Sequence, residues 1–243
     1  MNVVEKDMKQ VEQQGVFQQD TKKNFWLGMK QILPVAAAGV IDGMVFGILA
    51  TQAGFSITQT VLFSLLVNAA SSQFAALGLI SQGIVGWPVL LSTALLNARH
   101  LLYGLSLGPY FRNLPTWKAG VMGLMLNDET YALKMTQLRT GGKPNFPFFL
   151  GAGLIDYLIW IVSTLAGAIF GTVITNPEAY GLDFAFIATF LGFLAMNLSS
   201  RFYVKAAILA GAASCAGYYL QGVTLAVILG TLSAVLMGVF ADE

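Results

Sequence analysis

The chain reads as an all-α integral membrane protein, a polytopic helical bundle of seven or eight transmembrane segments. Three observations predict this. The 243 residues are 56% hydrophobic and only 10% charged, whereas an ordinary soluble domain carries about 25% charge. Mean hydropathy is +0.69. Apolar windows near the length that crosses a bilayer, about 20 residues, recur along the whole chain. A larger soluble core does not explain this composition, because the surface of a soluble domain of this size would still need its charges.

In chain order, residues 1–24 (MNVVEKDMKQVEQQGVFQQDTKKN) are polar, Gln-rich and of both charge signs, with no apolar core of the kind a signal peptide carries. They are expected to form an exposed cytoplasmic tail, leaving 25–243 as a single transmembrane domain in the inner or plasma membrane. Apolar windows fall at about 31–50, 57–80, 87–108, 119–135, 146–171, 182–200, 203–221 and 223–240. The fourth is weak, being short and containing Asn127, Asp128 and Glu129. Broken or re-entrant helices are therefore expected, and a re-entrant fourth segment is the alternative to a crossing one. The positive-inside rule weighs the two. With eight crossings and the N-terminus inside, ten of the thirteen Lys and Arg lie on the inner side, Arg112 and Lys118 lie outside, and Arg99 lies in the membrane. A re-entrant fourth segment reverses the later loops and leaves five inside against seven outside. Eight crossings fit better.

Gly39, Gly43 and Gly47 repeat every fourth residue in the first span, a smooth stripe suited to close helix packing. AGVID (38–42) and AGLID (152–156), with SSQF (71–74) and SSRF (199–202), hint at a weak parallel internal repeat. The single cysteine, Cys215, is expected to be a small packing residue, and one His and one Cys give no metal-ligand spacing. No cofactor or metal is expected. The net charge of +1 is not informative about partners, and no basic run interleaved with aromatics points to nucleic acid.

Polar residues interrupt the apolar pattern at membrane depth in four places. The first span carries Asp42. The second carries NAASSQF, with Asn68, Ser71, Ser72 and Gln73; on a continuous helix Asn68, Ser72 and Ala75 share a face, and the small residues 69–71 permit close approach or local unwinding. The third carries Asn97, Arg99, His100 and Tyr103 within two turns, and the fourth carries Asp128 and Glu129 in succession. Arg99 stays charged at any accessible pH. At the centre of a span it costs roughly 2.5–3.5 kcal/mol on insertion scales. Its economical partner is Asp128 or Glu129, with Asp42 as the other candidate. That pair could be structural or functional. His100 could relay a proton or be held neutral within the bundle, and Asp42 could carry a proton or simply sit in a polar cavity. Adjacent on a helix, Arg99 and His100 cannot share one face.

These motifs together resemble a known family. A Gly-rich first span, then SSQFAALGLISQG, then LLNARHLLYGLSL, then LNDETYAL is similar to the AzlC family, with the match running over about 28–135. The resemblance implies the large subunit of a two-component exporter of branched-chain amino acids: leucine, isoleucine and valine, with methionine at the edge of the range. It implies proton coupling and a small membrane partner of the AzlD type. It transfers motif roles to Gln73, Asn97, Arg99, His100, Asp128 and Glu129. The Ala-Ser-Ser before Gln73 departs from a Gly/Ala-rich run, which bears on substrate choice. Asn68, Ser71, Ser72, Gln73, Asn97 and Tyr103 are thus candidates for substrate binding. Asp42, Arg99, His100, Asp128 and Glu129 are candidates for a proton-coupling or intramembrane charge network. No GxxxxGK[ST] is present, so an ion gradient is the natural energy source. Two other readings stand beside the transporter. One is a non-transporting membrane assembly subunit; the other is an intramembrane hydrolase using Ser71 or Ser72 with His100, although no GxSxG precedes those serines.

Overall fold

The computed structural model describes residues 3–141, 145–175 and 198–239, with scattered positions between 179 and 195, and side chains from residue 21 onward. The sixth apolar window, 182–200, falls largely outside the described residues. The described chain is helical throughout: α1 (Val3–Gln52), α2 (Ile57–Leu66), α3 (Ala70–Ser81), α4 (Trp87–Asn97), α5 (Arg99–Phe111), α6 (Thr116–Leu124), α7 (Asp128–Arg139), α8 (Phe146–Val173), α9 (Arg201–Gln221) and α10 (Val223–Val239). The helix of the first span continues back through the polar tail without a break.

Among the described residues, two helices are long and apolar enough to cross a membrane unbroken, Thr21–Gln52 within α1 and α8. At about 1.5 Å per residue, the 28 residues of α8 reach roughly 42 Å. Its start is set by Asn145, whose side chain accepts from Phe148 N at 3.1 Å, with Pro147 in the first turn. The second, third and fourth windows are each split near mid-depth instead: at residues 67–69, at Ala98 and at 125–127. Ser56 caps α2 in a reciprocal box with Gln59 (3.2 and 2.9 Å). After the second break, at Asn97–Ala98, helical backbone resumes at once, since Ala98 stays in the right-handed helical region.

α1 and α8 form the central pair. A Cβ on Gly47 would lie 2.2 Å from the Thr164 carbonyl oxygen, and one on Gly167 would lie 2.0 Å from that of Met44, so the two backbones touch. Gly28 meets Phe148, Gly43 meets Ser163 and Gly171 meets Ile48, so the contacts climb both helices together and the pair is parallel. Between them the chain therefore returns to the end of the bundle from which α1 set out. This register also places Asp156 about two turns from Asp42 along the axis, so AGVID and AGLID are not equivalent positions. Gly39 departs from the expected stripe: nothing lies within 4 Å of its would-be Cβ.

An aromatic core of Phe46, Leu49, Ala50, Phe74 and Leu77 caps one end of this pair, with Phe46 edge-on to Phe74 at 5.5 Å and Trp160 packed against it. A second cluster of Leu107, Met122 and Phe149 joins α5, α6 and α8. Outward faces carry exposed Ile41, Val162 and Phe170, as lipid-facing helices do. α9 and α10 turn on Gly222 (φ 78°) into a hairpin. Cys215 is exposed on α9, not packed as expected, because that face of the hairpin meets no neighbouring helix among the described residues. Lys134, counted above with the inner loop charges, is fully buried on α7 between the rings of Phe111 (5.5 Å) and Phe148 (4.9 Å) and donates to Gln137.

Candidate functional site: a polar cavity at the helix breaks

A cavity of about 400 Å³ opens beside Gly39, whose would-be Cβ meets nothing within 4 Å. Its walls come from α1, from the breaks before α3 and α7, from α5 and from α8. Non-helical backbone is tolerated at membrane depth only where it is buried in protein or lines a cavity, and here it does the latter.

Arg99 is at the centre. Its Nη1 lies 2.8 Å from Asp128 Oδ2, and its Nη2 donates to Ser71 Oγ at 2.7 Å. Tyr103, one turn on from Arg99 along α5, donates to the other Asp128 oxygen at 2.6 Å. The Tyr103 ring is braced by stacking on Tyr131 (4.2 Å, 13°), whose hydroxyl donates to Ser106 at 3.1 Å. Asp128 is thus the arginine's partner; Glu129 and Asp42 line the same cavity without pairing to it. Asn127 caps α7 through Thr130 N (2.9 Å) and donates to Asp156 Oδ2 at 2.6 Å. Four carboxylates, Asp42, Asp128, Glu129 and Asp156, therefore share the cavity with one guanidinium. The start of α3 adds a further positive element. Its Ala69 cap supplies no side-chain bond, and Ala70 and Ser71 line the cavity. The first-turn amides of a helix have no partner within it and carry its positive dipole end. Val35, Ala36, Ile159 and Trp160 supply an apolar wall.

The remaining candidates lie elsewhere. Gln73 and Ser72 are fully buried and outside the cavity. Ser72 donates to the Ala69 carbonyl at 2.9 Å, while Gln73 donates to Ser64 (3.0 Å) and accepts from Trp160 Nε1 (3.0 Å). Ser64 in turn pairs with Thr164 at 3.1 Å, tying α2 and α3 to α8. The expected helical face of Asn68, Ser72 and Ala75 does not form, because Asn68 sits in the break before α3 begins. Asn97 and His100 line a second cavity of about 540 Å³ where all three breaks meet, with Asn68 and Ala69 forming part of both walls. His100 Nδ1 lies 3.1 Å from the Asn97 carbonyl, an acceptor, so Nδ1 carries the proton. Arg99 and His100 thus face different cavities, as their adjacency requires. No serine-histidine dyad is assembled: Ser71 is bonded to Arg99, Ser72 to Ala69 and His100 to Asn97. Asn68 Nδ2, Asn97 Oδ1 and Arg99 Nε are buried with no hydrogen-bond partner among the described residues.

Sequence reasoning overlooked Asn127, Asp156 and Trp160 as lining residues. For Asp156 a signal existed, since it is the one charge in the 146–171 window.

Residues 34–174, which hold both halves of this cavity, match the model of the AzlC protein family. The chain belongs to the AzlC family. Among its AzlC-like relatives is an uncharacterized membrane protein of Archaeoglobus fulgidus, 30% identical over 221 residues, covering 90% of this chain and 96% of that one. The inner membrane protein YgaZ of Escherichia coli is 28% identical over 214 residues, 85% of this chain and 86% of its own length. The branched-chain amino acid transport protein AzlC of Bacillus subtilis is 28% identical over 160 residues, 65% of this chain and 62% of its own. No solved structure matches the chain. The family is one of transport-associated membrane proteins, and the chain is a membrane protein of that kind.

Proposed function

We propose that this chain is a secondary transporter that exports branched-chain aliphatic amino acids across the cell membrane, coupled to protons and assembled with a small membrane partner of the AzlD type. The observation that carries this reading is the central cavity, which offers a zwitterion with an aliphatic side chain what it needs. Arg99 and the open α3 amides suit a carboxylate. Carboxylates suit an ammonium, and Val35, Ala36 and Ile159 suit a branched side chain. Four acids against one arginine leave negative charge that a proton or the substrate's ammonium balances, which is the elementary requirement for coupling the two. Membership of the AzlC family, and the Bacillus relative's name, support the choice of substrate. Arg99 and Asp128 hold the cavity together, with Tyr103 and Ser71 fixing the pair. His100 relays protons from the second cavity, and Asp42 and Glu129 belong to the charge network. Ser72 and Gln73 act from behind the wall. The N-terminal tail lies in the cytoplasm, as the distribution of Lys and Arg supports.

The test is counterflow of radiolabelled leucine into vesicles holding the purified chain, with and without the small partner, against a panel of other amino acids. Uptake confined to leucine, isoleucine and valine, with methionine weaker, is the expected outcome. Absence of flux in both preparations, with the protein shown to be folded, refutes the transporter reading.

A further inference from the structure

The cavity's four acids are not equivalent. We infer that Asp156 and Trp160, one turn apart on α8, form the pole that takes the substrate's ammonium group, with Gln73 as the positioning residue behind them. This rests on the reading of the central cavity as the substrate site.

Asp128 is committed to Arg99 and Tyr103. Neither Asp42 nor Glu129 has a hydrogen bond to another side chain among the described residues, so no neighbouring side chain orients either carboxylate. Asp156 is both oriented and uncompensated. It is 8% exposed, and Oδ2 accepts a 2.6 Å bond from Asn127, a neutral donor. Asn127 cannot swing away, because its own oxygen accepts from Thr130 N (2.9 Å) and Thr130 Oγ1 (2.8 Å). A carboxylate held by a neutral amide keeps its charge available to a cation, whereas one paired to a guanidinium does not.

Trp160 follows Asp156 by four residues, on the same side of α8, and lines the same cavity. An indole is the best aromatic partner for an ammonium. Its ring is fixed from two directions. It stacks near Phe46 (6.4 Å, 27°), and its N–H donates to Gln73 Oε1 at 3.0 Å. Rotating the ring would leave the buried Gln73 oxygen unpaired, which carries a desolvation penalty. Gln73, a motif residue absent from the cavity wall, thereby acquires a task. The two poles are also held by neighbouring residues at the start of α7. Asn127 and Asp128 are consecutive, about 3.8 Å apart at Cα; one holds Asp156 and the other holds Arg99. An α-amino acid, whose ammonium and carboxylate share one carbon, needs both poles in one cavity, which Asp156 and Arg99 both line.

The experiment is displacement of bound tritiated leucine from the purified full-length chain by unlabelled leucine and by 4-methylpentanoate, which is leucine without its amino group. The readout is the ratio of the two affinities within one preparation, which does not depend on the folded fraction. In the native chain leucine is preferred. Asp156→Asn is expected to weaken leucine by roughly 10- to 100-fold, the worth of a charged hydrogen bond, and to leave 4-methylpentanoate nearly unchanged, collapsing the ratio. Trp160→Leu lowers the ratio and Trp160→Phe largely keeps it. Gln73→Leu lowers it and Gln73→Glu, which retains the acceptor, restores it. If Asp156→Asn or Trp160→Leu binds leucine with the native ratio, the inference is overturned and the transporter reading stands. If the native chain binds no leucine, both fall together.

Discussion

The Arg99–Asp128 pair can be dissected quantitatively. Asp128 receives Arg99 at 2.8 Å on one oxygen and Tyr103 at 2.6 Å on the other, with Arg99 and Asp128 side chains 32% and 42% exposed, toward the cavity. Removing one member of a fully buried pair costs about 3–5 kcal/mol, and an exposed pair is worth about 0.2–1 kcal/mol. At this partial exposure, Arg99→Ala or Asp128→Asn should each destabilise the fold by about 1–3 kcal/mol. Tyr103→Phe, which removes one neutral donor to a carboxylate, should cost about 1–2 kcal/mol. Because each single substitution strands the other member of the pair, the double variant Arg99→Ala/Asp128→Asn should cost less than the sum of the two, with a coupling of at least about 1 kcal/mol. Reversible unfolding in mixed micelles measures all four. Leucine counterflow on the same preparations should show no activity in either single variant and none in the double. Additive single effects, to within about 0.3 kcal/mol, would refute the pair. Full export by Arg99→Ala would refute its place in the site.

Three other outcomes follow from the same geometry. Gly47→Ala or Gly167→Ala pushes a methyl to 2.0–2.2 Å from a backbone oxygen; either should cost at least about 1–3 kcal/mol in the same unfolding assay, whereas Gly39→Ala, with open space around it, should fold normally and slow transport by narrowing the cavity. Gln73→Ala removes bonds to Ser64 and Trp160 inside the bundle and should cost about 1–3 kcal/mol; stability within 0.5 kcal/mol of native would contradict the proposed bracing network. Glu129→Gln should impair proton-coupled export, measured as leucine efflux driven by an imposed pH gradient, and undiminished coupling would remove Glu129 from the charge network.

Much of this was legible in the residues. The helical membrane class follows from composition, because no charged surface could be built from so few charges. The arginine's need for a carboxylate is a solvation argument that requires no coordinates, and it pointed to Asp128 and Glu129. The small residues 69–71 permit close approach or unwinding, and the break falls just ahead of them at 67–69, sharing only Ala69, while Ala70 and Ser71 open α3. The neighbouring argument about Asn68, Ser72 and Ala75 failed for a related reason: helical periodicity holds only while the helix continues, and local sequence does not say where tertiary contacts will interrupt it.

What the sequence alone determined is the solvent, the class of elements and the list of groups too costly to leave unpaired in a membrane. What only the tertiary structure decided is which groups meet. Asp128 took the arginine and Asp156 took Asn127 because three helix breaks converge beside a close, parallel α1–α8 contact. Gln73 and His100 fell outside the central cavity because their neighbours on the chain turned inward. Hydropathy is a property of each residue and can be read along the chain. Pairing depends on the register between helices far apart in sequence, and only packing sets that.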